Sequence, residues 1–265
     1  MSKRKVRRRQ GGPAIQSIGV GMRLLRSLSA APAPMMLRDL SAAAGMPPAK
    51  AHRYLASFML GGLIEQHGAS GRYDLGPFAL ELGLAAMARL DPLALATPVL
   101  ASLRDAIGQT VALAVWANRG PTIVRWLGAD APVTASLRVG SVMPLTRSAT
   151  GGAFVAFLPE RSTARLVRLE LTRNRRRHLP RPSAQEFTRW IAQARRQGVV
   201  RTGRFIAGIS GVAAPVYGHS GSMEMALVAL GYSGNFNLAL RGSLVRQVLA
   251  SAQQLSARLG YRPPR

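Results

Sequence analysis

The sequence contains no cysteine, which excludes disulfides, thiolate metal sites and thiol nucleophiles. It also lacks an apolar run approaching the roughly 20 residues that a membrane-spanning helix needs. Residues 2–9 are strongly basic, but no apolar signal core follows them, so we expect no secretion signal. These absences are typical of a cytoplasmic protein that contacts no membrane, and we expect that location here.

Acidic residues are scarce: 11 Asp and Glu stand against 36 Lys and Arg, for a net charge of +25. The excess is spread along the chain, with 13 basic and 4 acidic residues in 1–90 and 23 basic and 7 acidic residues after it. A genome-wide codon preference for arginine would explain why only three of the basic residues are lysine, but it would not explain the shortage of acids. Such a positive field favours polyanions, and nucleic acid is the most common one.

Residues 37–75 have the pattern of a compact DNA-reading unit. A short helix ends near Gly45, and glycine accepts the positive φ of a tight helix–helix turn. A second helix begins at Pro47-Pro48, where proline is tolerated in the first turn. After Gly61-Gly62, the extended runs 63–67 and 72–75 flank turn residues and predict a hairpin. The order predicts a winged helix-turn-helix over 15–75.

The second helix of this unit carries two different faces. Leu55, Phe58 and Met59 share one apolar face by their spacing. Lys50, Arg53 and Ser57 share another, flanked by His52, and that face suits contact with DNA. An ordinary amphipathic helix with a solvated face has the same pattern. An earlier helix, with Ile18, Met22, Leu25 and Leu28 inward, is expected to pack beneath the unit.

Three further segments complete the organisation. Residues 1–14 predict a disordered basic arm that could follow phosphates or enter a minor groove, or simply a solvated tail. Residues 76–91 predict a linker helix that is apolar nearly all round, which favours a dimer contact, or alternatively a core helix of the second domain. Residues 92–265 predict a second domain. There we expect helices over 93–107, 146–158, 160–171, 183–197 and 238–259, and strands over 111–116, 122–127, 199–205, 211–217 and 223–230, in an α+β fold with an antiparallel sheet.

Several stretches together resemble the IclR family of transcriptional regulators over roughly residues 16–260. They are 17–25 (SIGVGMRLL), 40–46 (LSAAAGM), 52–58 (HRYLASF), 62–64 (GLI), 73–76 (YDLG), 143–151 (MPLTRSATG) and 208–216 (GISGVAAPV). Each is weak alone, but their order and spacing are fairly specific. The resemblance implies an N-terminal winged helix-turn-helix, a linker helix and a C-terminal effector-binding domain of GAF-like fold with an antiparallel sheet flanked by helices.

The resemblance also implies partners and roles. A homodimer or tetramer would place two recognition helices in major grooves roughly 34 Å apart, on a palindromic double-stranded operator. Arg53 and Lys50 would contact phosphates or guanines, and His52 and Ser57 would make adaptable contacts. Arg72 in the wing would grip phosphate, and Arg38 on the preceding helix is a further candidate. Whether the protein represses or activates is left open.

A small-molecule effector, a carboxylate or an aromatic acid, is expected in the second domain. The start of the helix at Ser148, Ala149, Thr150 and Gly151 suits a carboxylate, because backbone N–H groups are unpaired there, and Arg147 is adjacent. The same small residues could merely permit close packing. Some relatives line this pocket with Cys and Ser, whereas the matching positions here are Gly211, Val228 and Leu230. These could form an apolar wall or plain core, and they favour a larger or more apolar molecule.

Other functional classes find little support. Residues 218–222 (GHSGS) lack the G-x-S-x-G spacing of a nucleophile elbow, and the four histidines show no metal-ligand pairing. No phosphate-binding loop or dinucleotide fingerprint occurs, so we expect no cofactor, no metal site and no catalytic residues. A catalytic pair of His219 and Ser220 is a minor alternative. A second alternative is a ligand-sensing GAF-like module that acts through protein partners and binds no specific DNA.

Overall fold

The computed structural model describes residues 15–129 and 137–263, without the side chain of Arg204. The predicted basic arm at 1–14 lies outside the described residues. The chain divides between Leu90 and Asp91 into two compact units, each described separately below. No single described helix is long and apolar enough to cross a membrane; Pro77–Ala88 and Pro92–Ile107 reach that length and hydropathy only when taken together, across the break at 89–91.

The N-terminal unit has three helices and a two-stranded wing, and a fourth helix follows the wing. Tyr73 in the wing also pairs with Met35 before the second helix, so that the wing is held against the helices. The core is formed by Leu24, Leu40, Leu55 and Ile64, all at most 2% exposed. Its elements are α1 (Gln16–Ala30), α2 (Leu37–Ala43), α3 (Pro48–Leu60), β1 (Ile64–Gln66), β2 (Tyr73–Leu75) and α4 (Pro77–Ala88). The predicted winged helix-turn-helix is confirmed.

The turns of this unit lie at the glycine and proline residues that predicted them. Gly45 has φ +63° between α2 and α3, and Gly62 has φ +69° after α3. Pro48 is the first residue of α3, with Pro47 as its N-cap. Gly76 permits a close approach, because a Cβ there would lie 2.4 Å from the carbonyl oxygen of Gly62.

The predicted inner face of α1 was wrong in part. Leu28 is buried and Leu25 is partly buried, but Ile18 is 61% and Met22 is 42% exposed. The face that packs inward contains Gly21, Leu24 and Leu28. At Gly21 the Phe58 ring lies so close that a Cβ would be 2.7 Å from it, so the missing side chain sets how α1 meets α3. A spacing rule that counts only large apolar residues misses such a contact.

The C-terminal unit is built on one antiparallel sheet of five strands in the order β4-β3-β7-β6-β5. The predicted α+β class is confirmed. Its helices are α5 (Pro92–Ile107), α6 (Ala149–Phe157), α7 (Glu160–Arg176), α8 (Ala184–Gln197) and α9 (Ser243–Arg258). Its strands are β3 (Thr110–Ala117), β4 (Gly120–Leu127), β5 (Val200–Ile206), β6 (Ile209–Tyr217) and β7 (Met223–Tyr232).

Both faces of the sheet are buried, each in its own core. Along β3, Val111 and Leu113 face the core shared with α5 and α9, whereas Ala112 and Ala114 face the core shared with α6. Because alternate residues of a strand point to opposite faces, a strand covered on both sides is apolar throughout. This explains why the central strands contain almost no polar residue.

Three predicted helix ends differ from the structure by three residues or more. The α6 helix begins at Ala149 rather than residue 146, because the Ser148 hydroxyl caps it by accepting from Gly151 N–H. The α7 helix continues past residue 171 to Arg176, since its arginines occur along a continuous amphipathic pattern that also buries Asn174. The α9 helix begins at Ser243 rather than residue 238, after a turn closed by the Gly242 N–H donating to Ala239 O.

Candidate nucleic-acid interface and ligand cavity

The α3 helix presents a basic face on the surface of the N-terminal unit. Its reverse side is fixed by Ala51 and Leu55, both fully buried. Lys50, His52, Arg53 and Ser57 are all exposed on the other side. The Ser57 hydroxyl donates to the Arg53 carbonyl at 3.2 Å, so it can still accept a bond from a ligand. No ion pair among the described residues uses Lys50 or Arg53.

Arg38 and Arg72, the two other predicted DNA contacts, are also exposed. The Arg72 guanidinium donates to the Pro34 carbonyl at 3.2 Å and thereby links the wing to the segment before α2. Part of its hydrogen-bonding capacity is therefore structural. The rest of the fork stays accessible, since Arg carries five N–H donors.

The α4 helix exposes most of its apolar side chains. It buries none of its residues, although its sequence is apolar on nearly every face. The exposed residues include Leu80 at 65% and Leu84 at 55%, one helical turn apart. Phe78, Leu82, Met87 and Leu90 are exposed as well. An exposed apolar patch of this kind is typical of an interaction surface.

The C-terminal unit encloses a mostly apolar cavity of about 40 Å³ between its sheet and the start of α6. Six of the eight predicted effector residues border it, namely Ser148, Ala149, Thr150, Gly211, Val228 and Leu230. Sequence reasoning did not identify the other described lining residues, which are Ala112, Ile123, Trp126, Leu137, Met143, Thr202, Phe205, Ile206, Ile209 and Ser210. These residues come from five separate segments of the chain. The β5–β6 pairing changes register between Thr202 and Ile206, and three of the lining residues lie on that part of β5.

The first turn of α6 forms the polar end of this cavity. The N–H groups of Ala149 and Thr150 lie where a helix supplies no intrahelical acceptor, whereas Gly151 N–H donates to the Ser148 hydroxyl at 2.9 Å. Gly151 itself serves close packing, because a Cβ there would lie 2.0 Å from the Pro144 carbonyl oxygen. Glycine at position 151 is thus explained by the close packing of α6 against residues 144 and 145.

Arg147 does not line the cavity. Its guanidinium lies 5.7 Å from the centroid of the Phe205 ring, and Phe205 is the residue that borders the cavity. The Arg147 side chain is part of a separate surface pocket with Thr146, Arg189 and Trp190. Its Nε is buried and has no hydrogen-bond partner within the described chain. In this arrangement the Arg147 guanidinium therefore lies over the Phe205 ring and outside the cavity.

A buried carboxylate holds the chain that leads into α6. Glu170 of α7 is 8% exposed and accepts from Leu145 N–H at 2.7 Å and Thr146 N–H at 3.0 Å. It also accepts from the Thr146 hydroxyl at 2.5 Å. Hydrogen bonds to an ionised acceptor are the strong ones. Glu170 therefore fixes the position of the first turn of α6 relative to α7.

The two residues of the minor catalytic alternative lie on one turn. His219 and Ser220 both lie on the turn between β6 and β7, and the Ser220 hydroxyl accepts from Ser222 N–H at 3.3 Å. Within residues 15–129 and 137–263, no three metal-ligating side chains cluster. The arrangement is that of an ordinary turn.

Comparison with known proteins decides the family. The model of the IclR helix-turn-helix domain matches residues 17–68, and the model of the bacterial transcriptional regulator IclR C-terminal domain matches residues 84–257. The chain belongs to the IclR family of bacterial transcriptional regulators. The predicted family is confirmed, as is the expectation of a regulator rather than an enzyme.

Individual relatives of this IclR-family chain differ in coverage. The transcriptional repressor IclR of Escherichia coli K12 is 27% identical over 155 residues, so the match spans 58% of this chain and 57% of that protein. The regulator XynR of the same strain is 25% identical over 94% of this chain and 99% of its own. The crystal structure of Pseudomonas aeruginosa HmgR has a TM-score of 0.84 at 34% identity, covering 93% of this chain and 99% of HmgR.

Proposed function

We propose that this IclR-family chain is a DNA-binding transcriptional regulator whose operator affinity is set by a small organic acid. The observation that carries the DNA-binding part is the basic face of α3. Lys50 and Arg53 project from a helix whose opposite side is buried in the core, so the helix that carries them is already ordered before it meets DNA. The helix-turn-helix places such a face in the major groove, and the wing supplies Arg72 for phosphate.

Arg53→Ala is expected to weaken operator binding by about 1–3 kcal/mol, because the complex would lose the base or phosphate contact that the Arg53 guanidinium makes. The measurement is a fluorescence-anisotropy titration of DNA from upstream of the protein's own gene. Arg23→Ala, an exposed arginine on α1, removes the same charge as a matched control and should change affinity little. Unchanged affinity in the Arg53 variant would remove this residue from the interface.

A second copy of the chain is the partner we propose for α4. The exposed leucines of this helix are too many for a solvated surface, and α1 adds Ile15, Ile18 and Met22 as further exposed apolar residues. A homodimer would bury such surfaces and bring two recognition helices to a palindromic operator. A tetramer would combine two such dimers.

For the cavity, we propose an aromatic acid as effector. Trp126 and Phe205 offer aromatic surface, and the polar groups converge at one end around Thr150. A carboxylate there would accept from the first-turn N–H groups of α6. The void of about 40 Å³ is smaller than such a molecule, so Trp126 or Phe205 must move on binding. That movement gives the ligand a route to a conformational change.

Aromatic carboxylates such as benzoate and phenylacetate are expected to raise the melting temperature of the protein, whereas benzyl alcohol should not. Gly211→Leu should abolish that rise, because the added side chain would occupy the cavity. Gly211 has room for a Cβ, which would lie 3.5 Å from Ala149 Cβ, and circular dichroism of the Gly211→Leu variant checks that the longer side chain leaves the fold intact. Differential scanning fluorimetry measures both effects. Equal responses to the acids and the alcohol would contradict the role of the α6 N-terminus.

A further inference from the structure

A second concave site lies on the C-terminal unit, outside the apolar cavity. This arginine groove has a volume of about 770 Å³ and runs along α7. Five arginines border it: Arg119 on the turn between β3 and β4, and Arg165, Arg173, Arg176 and Arg177 at the α7 side. Arg165 and Arg176 are separated by eleven positions, which is about 16 Å along a helix. The groove is therefore long enough for several anionic groups in a row.

The charge of the arginine groove is not neutralised within the described chain. Glu170 is its one described acidic lining residue, and that carboxylate already accepts hydrogen bonds from the backbone N–H groups of Leu145 and Thr146. The ion pairs among the described residues involve none of the five arginines. All five are exposed. Unpaired guanidiniums gathered at this density repel one another, and a multiply charged anion would relieve that repulsion.

The floor of the arginine groove is apolar. Leu169 is 54% and Val142 is 38% exposed there, next to Leu166 and Met143. A DNA backbone would offer phosphates but nothing to cover these side chains. A small molecule with an apolar or aromatic body and several phosphates would satisfy both the floor and the rim. The volume also lies in the range of small-molecule sites, roughly 300–1,000 Å³.

We propose that the arginine groove binds a nucleoside triphosphate or a ligand of the same chemistry. The phosphates would lie against Arg173, Arg176 and Arg177 at one end of the groove, and the base would cover Leu169 and Val142. Guanidinium forks suit phosphate oxygens, because they donate two parallel hydrogen bonds. The groove and the effector cavity share Met143 in their linings but are otherwise formed by different residues, and the proposal does not depend on whether the cavity binds an acid.

The test is isothermal titration calorimetry of the full chain with ATP, at about physiological ionic strength so that diffuse charge attraction is screened. The groove variant is R165Q/R173Q/R176Q. The matched control is R161Q/R168Q/R175Q, which removes three exposed arginines from the same helix but from outside the groove. Circular dichroism checks both for folding, and the single variant R173Q serves if the triple variant does not fold.

We expect one ATP per chain, with affinity reduced at least about tenfold in the groove variant and within about twofold of wild type in the control. Inorganic tripolyphosphate should bind more weakly than ATP, since it leaves the apolar floor uncovered. Equal losses in the two triple variants would show general charge attraction and overturn the proposal. Absence of ATP binding would also overturn the proposal. If the groove variant then lost affinity for scrambled DNA, the groove would be a nucleic-acid surface.

Discussion

Replacement of both Leu80 and Leu84 by glutamate is expected to convert the protein into a monomer. The two side chains lie one turn apart on α4, at 65% and 55% exposure, so the change costs little within one chain. In the proposed dimer the four new carboxylates would be buried against apolar surface, which is strongly unfavourable. Sedimentation velocity without DNA measures the mass directly.

The same double variant should bind the operator about 100-fold more weakly or worse. A dimer engages its second half-site as an intramolecular event, and loss of that linkage removes an avidity of roughly 10²- to 10⁴-fold. Leu80→Met with Leu84→Met keeps the apolar surface and should remain dimeric with near wild-type affinity. A glutamate variant that still sediments as the wild type would place the dimer contact elsewhere.

Glu170→Ala is expected to lower the free energy of unfolding of the C-terminal unit by about 3–5 kcal/mol, since it leaves the buried donors of Leu145 and Thr146 unpaired and opens a cavity. Glu170→Gln should also destabilise, because one of its two end groups is a donor facing a donor. Glu160→Ala, an exposed acid in the first turn of the same helix, should cost about 1 kcal/mol or less. Urea denaturation of the three variants provides the comparison. A Glu170→Ala value no larger than that of Glu160→Ala would contradict the anchoring role.

Local signals account for what the sequence predicted well. Gly45, Gly62 and Pro48 each impose a backbone geometry by themselves, so the helix-turn-helix and its wing could be read directly from the chain. The strands were recognisable from their apolar runs. The inner face of α1 was not, because the decisive contact is the empty space at Gly21 that receives Phe58.

The basic face of α3 and the cavity differ in how well the sequence predicts them. The basic face of α3 arises from one helix, so spacing alone assembles it. The cavity joins residues from β3, β4, α6, β5, β6 and β7. Sequence pointed to it only through the start of α6 and through the three positions supplied by family resemblance, Gly211, Val228 and Leu230. The arginine groove was missed for a related reason: α7 was expected to end before Arg173, so its arginines were not placed on one helix face with Arg165.

The most direct test of sequence-specific DNA binding is competition anisotropy on DNA from upstream of the protein's own gene, at two salt concentrations. Specific binding should survive an excess of scrambled competitor and weaken steeply with salt, as expected when several phosphates are contacted. Equal affinity for both DNAs would contradict sequence-specific binding. The net charge of +25 alone would then explain the binding, and a ligand sensor acting through protein partners would become the better description.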